Sequence, residues 1–397
     1  MEKKRLCQIA EEYGTPSFLF DADELRERAQ RIKEILNDGP DRIGLCYSIK
    51  ANPFLIPTLL DVVDMLEVCS PGELKICKSY KVPPGMIIYS GVHKEEEDIR
   101  EAIEYGAAIL TAESVKHYEL IGLVSRDLNV RVRVILRLSS KSQFGMSLDD
   151  IESILRTNSD NGLITIEGLH YFAGTQRTKL KHQREELEML KGVFAKLRDK
   201  YRLSLSWFEY GPGLAYPYFE GEDFSDTLRP LKELAGDLKA AAGMSDLTVE
   251  MGRFIASSCG YYLSRVCDVK KSYDNNWVIL DGGINHVNYL GQMMGMNTPV
   301  IITLTDKGGT ELNNSSEYTK TQTLCGSLCT TNDVIVRSFS GDVLSVGDVL
   351  AFCNIGAYSI TEGLNLFLSR DMPVVLILRD GIISKVRDVT ETWRLNS

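Results

Sequence analysis

The sequence predicts an α/β protein built as a (β/α)8 barrel with a second, C-terminal β-domain. From residue 43 to about 265, eight short apolar runs alternate with longer amphipathic stretches, the pattern of parallel strands joined by helices. Eight such units are typical of a closed barrel. A doubly wound open sheet is the alternative, but no GxGxxG motif opens the first strand–helix unit to support it.

The eight predicted barrel strands are short and apolar or β-branched. They are IGLCYSI (43–49), MLEVC (65–69), MIIYS (86–90), AAILTA (107–112), VRVILRL (132–138), LITIEGLHYF (163–172), LSWFEYG (205–211) and LTVEMG (247–252). Ahead of them, SFLFDADELRERAQRIKEIL predicts a strand that joins the β-domain and a helix that leads into the barrel.

After about residue 265 the pattern changes. Segments such as VGDVLAFCNIGAY and PVVLILRDGII are apolar runs separated by Gly, Asn and Asp turns, with few helical windows. We therefore predict a barrel over 25–265 and a β-domain formed by 1–24 and 266–397.

Composition narrows the class of function. The 397-residue chain has a net charge of −10 and no run of Lys or Arg, which argues against nucleic acid as a partner. We expect no membrane helix and no signal peptide. Nine cysteines then indicate reduced thiols and a cytoplasmic protein. Cys325 and Cys329 form a CxxxC pair, but no second pair supplies the other ligands of a zinc site, so no metal is expected.

Barrel enzymes place their reactive groups at the carboxyl ends of the strands. In this chain those positions hold a lysine, carboxylates, an arginine and small residues. They are Lys50; Glu67, Ser70 and Glu73; Arg137; His170, Phe172, Gly174 and Thr175; Gly211 and Gly213; and Glu250, Gly252 and Arg253. This collection at one rim predicts an active site.

These residue types fit a phosphorylated cofactor with a carbonyl group. Glycine turns present backbone N–H groups to a phosphate, and Arg253 adds positive charge. A desolvated lysine such as Lys50 forms a Schiff base with an aldehyde. A carboxylate that faces a pyridine nitrogen keeps it protonated, so that the ring is an electron sink. Together they indicate pyridoxal 5'-phosphate, although GPGLA by itself is more often an ordinary turn and a single lysine is more often solvated.

Seven motifs resemble, in order and spacing, those of the fold-type III pyridoxal-phosphate decarboxylases, which include the diaminopimelate and ornithine/arginine decarboxylases. They are YSIKAN with Lys50, SPGE with Glu73, GLHYFAGTQ, GPGLAYPYF, EMGR, CGSLCTTND with Cys329, and IGAY with Tyr358. The resemblance runs from about residue 15 to 390. It implies an alanine-racemase-like barrel with a β-domain, in a head-to-tail homodimer with shared active sites.

The resemblance also implies roles for single residues. Lys50 would carry the cofactor, Glu250 would face its ring nitrogen, and Arg253, the Gly211–Gly213 loop and Tyr358 would lie at its phosphate. Cys329 would come from the other subunit and protonate Cα after CO₂ leaves; a buried structural thiol is the alternative. The other predicted cofactor-binding residues are Glu67, His170, Phe172, Thr175 and Gly252.

Two departures from the family pattern concern the cofactor. Phe172 stands where most members have a histidine that stacks on the ring; a phenyl ring can stack but cannot titrate or donate. Pro212 removes one N–H donor from the phosphate loop.

Two further departures concern the substrate. Thr330 stands where diaminopimelate decarboxylases carry Glu and ornithine decarboxylases Asp, to hold a distal amino group. Tyr289 stands where the diaminopimelate enzymes usually have arginine. Thr330, Tyr289 and Asp333 are the predicted substrate-binding residues. Neither Thr330 nor Tyr289 provides the charged side chain that would bind a charged distal end of the substrate. LCTTND resembles instead the natural-product branch of the family, whose members decarboxylate modified amino acids, including a glutamyl group tethered to a carrier protein.

We therefore predict decarboxylation of a small-molecule amino acid or of an amino-acid conjugate, with a carrier-protein-tethered amino acid among the candidate substrates. The alternative is a diaminopimelate decarboxylase that makes lysine. A racemase is a second rival, but racemases of this fold typically face the pyridine nitrogen with arginine, whereas Glu250 strengthens the electron sink. A catalytically dead binding homologue should have lost Lys50 or Cys329, and both are present.

Overall fold

The computed structural model describes residues 1–40, 42–157, 162–291, 295–304 and 321–397. The chain divides into two compact units. The first, the barrel unit, comprises Arg26–Tyr216 and Asp226–Ile255. The second, the β-unit, comprises Met1–Leu25, Pro217–Ser225 and Ala256–Ser397. Among the described helices, none combines the length and the apolar character needed to cross a membrane.

The chain begins with helix α1 (Lys3–Tyr13), strand β1 (Ser17–Asp21) and helix α2 (Ala22–Leu36). The strand and the second helix occupy the segment predicted for them. Helix α1 was not predicted, although Leu6, Ile9 and Ala10 are buried at the three-to-four-residue spacing of an amphipathic helix.

Eight parallel strands close into a barrel, which confirms the predicted fold class. They are β2 (Gly44–Ser48), β3 (Met65–Val68), β4 (Ile87–Tyr89), β5 (Ile109–Ala112), β6 (Val132–Arg137), β7 (Ile164–Phe172), β8 (Trp207–Gly211) and β9 (Asp246–Met251). Strand β9 pairs with β2 and closes the ring, with Cys46 opposite Glu250.

Helices follow the barrel strands. They are α3 (Ile56–Leu59), α4 (Pro71–Ser79), α5 (Glu96–Tyr105), α6 (Val115–Leu128), α7 (Leu148–Thr157), α8 (Lys181–Tyr201), α9 (Arg229–Ala242) and α10 (Arg253–Ala256). Two begin at serine caps: the Ser70 hydroxyl accepts from Glu73 N–H, and the Ser114 hydroxyl accepts from His117 N–H. The SPGE motif thus starts α4 immediately after β3.

The barrel interior changes character along the strands. An apolar cluster fills its lower part: Cys46, Met65, Ile88, Ile109 and Ile135, with Ala108 and Trp207 packed against it. Residues two positions further along a strand point to the same side. Those positions hold buried polar side chains, namely Ser48, Glu67, Ser90, Thr111, Arg137, Glu209 and, on the neighbouring strands, His170 and Glu250. The sequence therefore builds an apolar floor beneath a polar layer at the carboxyl ends of the strands.

The β-unit contains a sheet of nine strands among the residues described. Its later strands are β10 (Gly260–Ser272), β11 (Asn275–Leu280), β12 (Ile301–Thr303), β13 (Gln322–Cys325), β14 (Val334–Phe339), β15 (Val349–Cys353), β16 (Val374–Arg379) and β17 (Ile382–Arg387), with a short helix α11 (Ser359–Glu362). The order is β14-β13-β11-β10-β1-β16-β17, and β15 pairs with both β10 and β12. Strand β1 therefore joins this sheet, as predicted from its position before the barrel.

The division between the units differs in detail from the predicted boundary at 265. Strand β10 starts at Gly260 and pairs with β1 and β15, so the β-unit takes the chain from Ala256 onward. The segment Pro217–Ser225 also belongs to the β-unit, because Glu220 N–H bonds to Thr298 O at 2.9 Å. This pairing lies far apart along the chain, and local sequence patterns carry no signal for it.

Candidate active site

Lys50 lies immediately after β2, in a single helical turn over Ile49–Ala51. Its Nζ donates a hydrogen bond to Glu67 Oε2 at 2.9 Å and lies 3.7 Å from Glu250 Oε1. The lysine side chain is 40% exposed, whereas both carboxylates are buried. Three strands, β2, β3 and β9, thus bring one amine and two carboxylates together at the mouth of the barrel.

Glu250 is the centre of a buried network. Its Oε1 accepts from Ser48 Oγ at 2.8 Å, and its Oε2 lies 3.2 Å from His170 Nε2. Burial opposes ionisation of Glu250 most strongly, but the Lys50 charge and the Ser48 hydrogen bond, among other contacts, together lower its pKa. The group is therefore held as a carboxylate.

His170 is fully buried, and burial together with the Arg137 charge lowers its pKa to about 3. The imidazole is therefore neutral at physiological pH. A neutral imidazole has one N–H donor, and the Glu250 carboxylate can only accept, so the proton of His170 sits on Nε2.

A thiol that the sequence analysis did not single out, Cys69, faces the amine. Cys69 Sγ lies 3.8 Å from Lys50 Nζ. Burial, followed by the Glu67 charge, raises the pKa of Cys69 well above its usual value, so this thiol stays protonated. Glu73 supports the same corner, because its carboxylate accepts from Cys69 N–H at 2.7 Å.

Arg137 ends β6 and pairs with a carboxylate that the sequence analysis missed. Its Nη1 lies 2.5 Å from Glu113 Oε1, and both side chains are buried. Glu113 Oε2 also accepts from Gly145 N–H at 3.0 Å, and the Phe144 ring stacks against the Arg137 guanidinium at 4.9 Å. Glu113 directly follows β5, so the rule that located the other rim residues could have found it.

The predicted phosphate loops contain glycines that pack closely against other parts of the barrel rim. Gly213 has φ +59°, and a Cβ there would lie 1.8 Å from Gly174 O. A Cβ on Gly252 would lie 3.1 Å from the Ala51 side chain. Arg253 follows directly and is buried, whereas Thr175, next to Gly174, is exposed. The loops after β8 and β9 therefore pass close to neighbouring chain segments at these glycines, where a side chain would be crowded.

Phe172 and Gly211 border the same space. The two residues are register partners on β7 and β8. A Cβ on Gly211 would come within 2.5 Å of the Phe172 ring and within 3.4 Å of Glu250 Oε2. Glycine at 211 therefore keeps the space beside Glu250 open, with an aromatic ring on its border.

The remaining predicted residues belong to the β-unit. Cys329 is exposed and Thr330 half-buried, in the loop between β13 and β14. Tyr358 is half-buried with φ +68°, immediately before α11, and its carbonyl accepts from Thr361 N–H and Glu362 N–H.

Asp333 does not fit the predicted role of substrate contact. It is 3% exposed, and its carboxylate accepts from Leu328 N–H at 2.7 Å and Ile284 N–H at 2.9 Å. Cβ atoms on Gly283 or Gly326 would lie 2.3 Å from this carboxylate. Both oxygens thus bind backbone of the β-unit, and Asp333 fixes the loop that carries Cys329.

Tyr289 likewise lies inside the β-unit. It is 3% exposed, its hydroxyl donates to Cys353 O at 2.7 Å, and its ring packs on Tyr218 and Phe219 at centroid distances of 5.9 and 6.0 Å. Tyr289 therefore packs in the core of the β-unit, which argues against the predicted substrate contact.

Comparisons with known proteins agree with this geometry. The family model described as pyridoxal-dependent decarboxylase, pyridoxal binding domain, matches residues 22–257. A 2-[(L-alanin-3-ylcarbamoyl)methyl]-2-hydroxybutanedioate decarboxylase from Staphylococcus aureus is 26% identical, over 93% of this chain and 95% of that protein. An L-glutamyl-[BtrI acyl-carrier protein] decarboxylase from Niallia circulans is 23% identical, over 98% and 94%. The crystal structure of a diaminopimelate decarboxylase from M. jannaschii superposes with a TM-score of 0.86 at 23% identity, over 98% of this chain and 93% of that one.

Proposed function

Because the chain belongs to the pyridoxal-dependent decarboxylase family, we propose that it removes the α-carboxyl group of an α-amino acid whose far end is joined to another group. The chain is a pyridoxal 5'-phosphate-dependent carboxy-lyase with an alanine-racemase-like barrel. The observation that carries its active-site assignment is the Lys50 amine, 2.9 Å from Glu67 and 3.7 Å from Glu250 at the barrel mouth.

The residues present fit this cofactor. We assign the covalent attachment of its aldehyde carbon to Lys50 Nζ, the contact with its ring nitrogen to Glu250, and the contact with its phosphate to Arg253 and the loop Gly211–Gly213. Gly211 leaves a space that is bordered by the Phe172 ring and by the Glu250 carboxylate. An aromatic cofactor ring placed there would meet an aromatic side chain and a carboxylate. When bound, the cofactor accepts the electron pair that the departing carboxyl group leaves on Cα.

The protein groups then have separate tasks. Glu250, kept ionised by Lys50 and Ser48, holds a proton at the ring nitrogen. Glu67 accepts from the lysine amine when that amine is free and so keeps it at the rim. We assign the delivery of a proton to Cα to the thiol of Cys329.

The substrate assignment depends on the residues that meet its far end. A site that ion-pairs a substrate group rejects analogues far better than one that merely fits them. Thr330 is neutral, and Tyr289 supplies no charge because its hydroxyl is bonded within the β-unit. The relatives from S. aureus and N. circulans are named for conjugated substrates, an alanin-3-ylcarbamoyl compound and a carrier-bound glutamyl group. Both features support a substrate without a free distal ammonium group.

The experiment is a CO₂-release screen. We expect glutamyl and diaminopropionyl conjugates, free or carrier-bound, to be turned over with kcat/KM values at least about tenfold above those of free meso-diaminopimelate, lysine, ornithine and arginine. Efficient turnover of free diaminopimelate would instead favour the diaminopimelate decarboxylase alternative, for which several relatives of similar identity are named. Thr330→Glu is the matched variant, and it should shift preference toward the free diamino acids.

We also propose that the active unit is a homodimer in which Cys329 and Tyr358 serve the barrel of the partner, and that the protein works in the reducing cytoplasm. The family pattern and the nine free cysteines support these two statements. Mixing inactive Lys50→Ala with inactive Cys329→Ala subunits should restore part of the activity, since one site of a mixed dimer is intact. No recovery after demonstrated subunit exchange would contradict shared sites.

A further inference from the structure

Helix α8 carries a fully buried glutamine whose side chain bonds to the predicted phosphate loop. Gln183 Nε2 donates to Pro212 O at 3.0 Å. Its Oε1, by contrast, has no hydrogen-bond partner among the described residues. A buried acceptor without a partner is destabilising, and an apolar side chain of the same size would avoid that cost. The glutamine is therefore better explained by what its amide binds than by packing.

The bond from Gln183 sets the direction of one backbone N–H group. Pro212 and Gly213 share a trans peptide unit. In a planar trans unit the carbonyl of one residue and the N–H of the next point in opposite directions. The Pro212 carbonyl is turned toward Gln183 on α8, so the Gly213 N–H is turned away from α8. Because Pro212 has no N–H of its own, the loop Gly211–Gly213 depends on its glycines for backbone donors.

The next carbonyl of the loop is also bound by a protein donor. Gly213 O accepts from Arg177 N–H at 2.9 Å. Gln176 joins the same two segments, because its side chain donates to Tyr216 O at 2.9 Å and accepts from Tyr216 N–H at 2.8 Å. A carbonyl oxygen repels an anion, whereas N–H groups that point the same way bind one. With the carbonyls of Pro212 and Gly213 bonded elsewhere, the loop can offer N–H groups to an anion.

A second side chain of α8 supports this arrangement. Glu186 lies three residues after Gln183, on the same face of the helix. Its carboxylate accepts from both Nη atoms of Arg177, at 2.8 and 2.6 Å, and from the Tyr210 hydroxyl at 2.9 Å. One face of α8 thus binds the segment after β7 through Arg177, and both the end of β8 and the loop after it through Tyr210 and Pro212.

We propose that Gln183 is a positioning residue for the phosphate group of pyridoxal 5'-phosphate. It holds the Pro212 carbonyl toward α8, and so directs the Gly213 N–H to the opposite side, where the phosphate accepts from it. The identity of the anion rests on the proposed function. The hydrogen bond from Gln183 to Pro212 carries the rest of the inference, because that bond and the planar peptide unit together fix the direction of the N–H group.

Selective isotope labelling of the wild type tests the direction of this N–H group. The sequence has three Pro–Gly pairs, so ¹³C-carbonyl proline combined with ¹⁵N-glycine selects three N–H signals by NMR, those of Gly72, Gly85 and Gly213. The variants Gly72→Ala and Gly85→Ala assign them. We expect the Gly213 proton to move further downfield with pyridoxal 5'-phosphate than with pyridoxal, because a charge-assisted hydrogen bond forms. The exposed Gly85 is the internal control and should not move. Equal shifts of Gly213 with both compounds would overturn the proposal.

Removal of the amide gives a second readout. We expect Gln183→Met to weaken binding of pyridoxal 5'-phosphate by about tenfold and that of pyridoxal by less than about twofold, because pyridoxal lacks only the phosphate. Gln322→Met is the matched control, since Gln322 is a buried glutamine of the β-unit whose Nε2 donates to Asp342 O at 3.0 Å. That variant should keep the wild-type ratio of the two affinities. An unchanged ratio in Gln183→Met would overturn the proposal, and if this variant does not fold, the NMR measurement on the wild type decides it.

The same measurements separate this inference from the proposed function. Arg253 is the other assigned contact with the phosphate, so Arg253→Met should also lower the affinity for pyridoxal 5'-phosphate relative to pyridoxal. If Arg253→Met lowers this ratio and Gln183→Met does not, the positioning role is refuted and the phosphate site stands. A wild type that binds both compounds equally well would refute the phosphate assignment itself, and this inference with it.

Discussion

The barrel unit and the β-unit hold their candidate reactive groups by different means. In the barrel, Lys50 contacts two buried carboxylates, and each of the three side chains stands at the end of its own strand. In the β-unit, Cys329 is exposed on a loop, and the contacts that shape this loop are made by a neighbour, Asp333, to backbone N–H groups.

This contrast separates two kinds of preorganisation. The barrel groups are fixed by strand register and by one another's charges, so removing one member changes the electrostatics of the rest. The thiol is fixed through its backbone, so the loop can be altered without touching a charge in the barrel. Substitutions in the two units should therefore have different effects. Those in the barrel unit should abolish the whole reaction, and those in the β-unit should impair its final proton transfer.

The largest effect should come from Lys50→Ala. Covalent attachment of the cofactor and the amine–carboxylate contacts are lost together, so we expect kcat/KM to fall by at least about 10⁴-fold. In the wild type, borohydride reduction followed by peptide mapping should place the pyridoxyl group on Lys50. Lys94 is the internal control, because it is a buried lysine of the same barrel and should remain unlabelled. A label on Lys94 would refute the assignment of the barrel site.

Cys329→Ala should have a smaller effect on rate and a larger one on product. Without a proton donor at Cα, CO₂ release should continue, with kcat lowered by roughly 10²-fold. Protonation at the wrong carbon should then yield an aldehyde and pyridoxamine phosphate, which chromatography detects. Cys267→Ala, at an exposed cysteine on β10, is the matched control and should behave as the wild type. Clean amine formation at the normal rate by Cys329→Ala would show that the thiol is structural.

The two units also differ in how much the sequence reveals. All eight barrel strands lie within two residues of their predicted limits, because alternating strands and helices leave a strong local pattern. The rule that reactive groups lie at the carboxyl ends of barrel strands predicted from the sequence that Lys50, Glu67 and Glu250 lie close together. It would also have found Glu113, which directly follows β5.

The same reasoning fails in the β-unit for a physical reason. Motif position says which residues lie near one another along the chain, but not whether a side chain faces a ligand or its own core. Tyr289 and Asp333 stand at motif positions, yet both are 3% exposed and bonded to backbone of the β-unit. Only the tertiary packing decides that orientation.

Asp333→Asn should show how far the Cys329 loop depends on its scaffold. The amide keeps one acceptor oxygen, so one of the two N–H groups now bonded by Asp333 loses its partner, which destabilises the β-unit by about 1–3 kcal/mol. Urea denaturation measures this change. We further expect Asp333→Asn to form the same side products as Cys329→Ala, in roughly a tenth of the amount, because the thiol is displaced rather than removed. Asp342→Asn, at an exposed carboxylate of the same unit, should change neither quantity.

The smallest effect concerns Lys94, a lysine of the barrel that is buried, unlike Lys50. Lys94 is 1% exposed, and its ammonium group donates to Gly91 O. Burial lowers its pKa to about 8, against 10.5 for an exposed lysine, although the Glu113 charge acts in the opposite direction. Below pH 8 the group is charged in both the folded and the unfolded chain. Between about 8 and 10.5 only the unfolded chain keeps the proton, so Lys94 makes stability rise with pH, by up to about 3 kcal/mol over that interval. Lys94→Met should remove this rise, seen as the difference between the two unfolding free energies in urea across pH 7–10. Lys75→Met, on the exposed side of α4, should leave the profile unchanged. A Lys94→Met profile identical to that of the wild type would mean that folding does not lower the pKa of the buried amine.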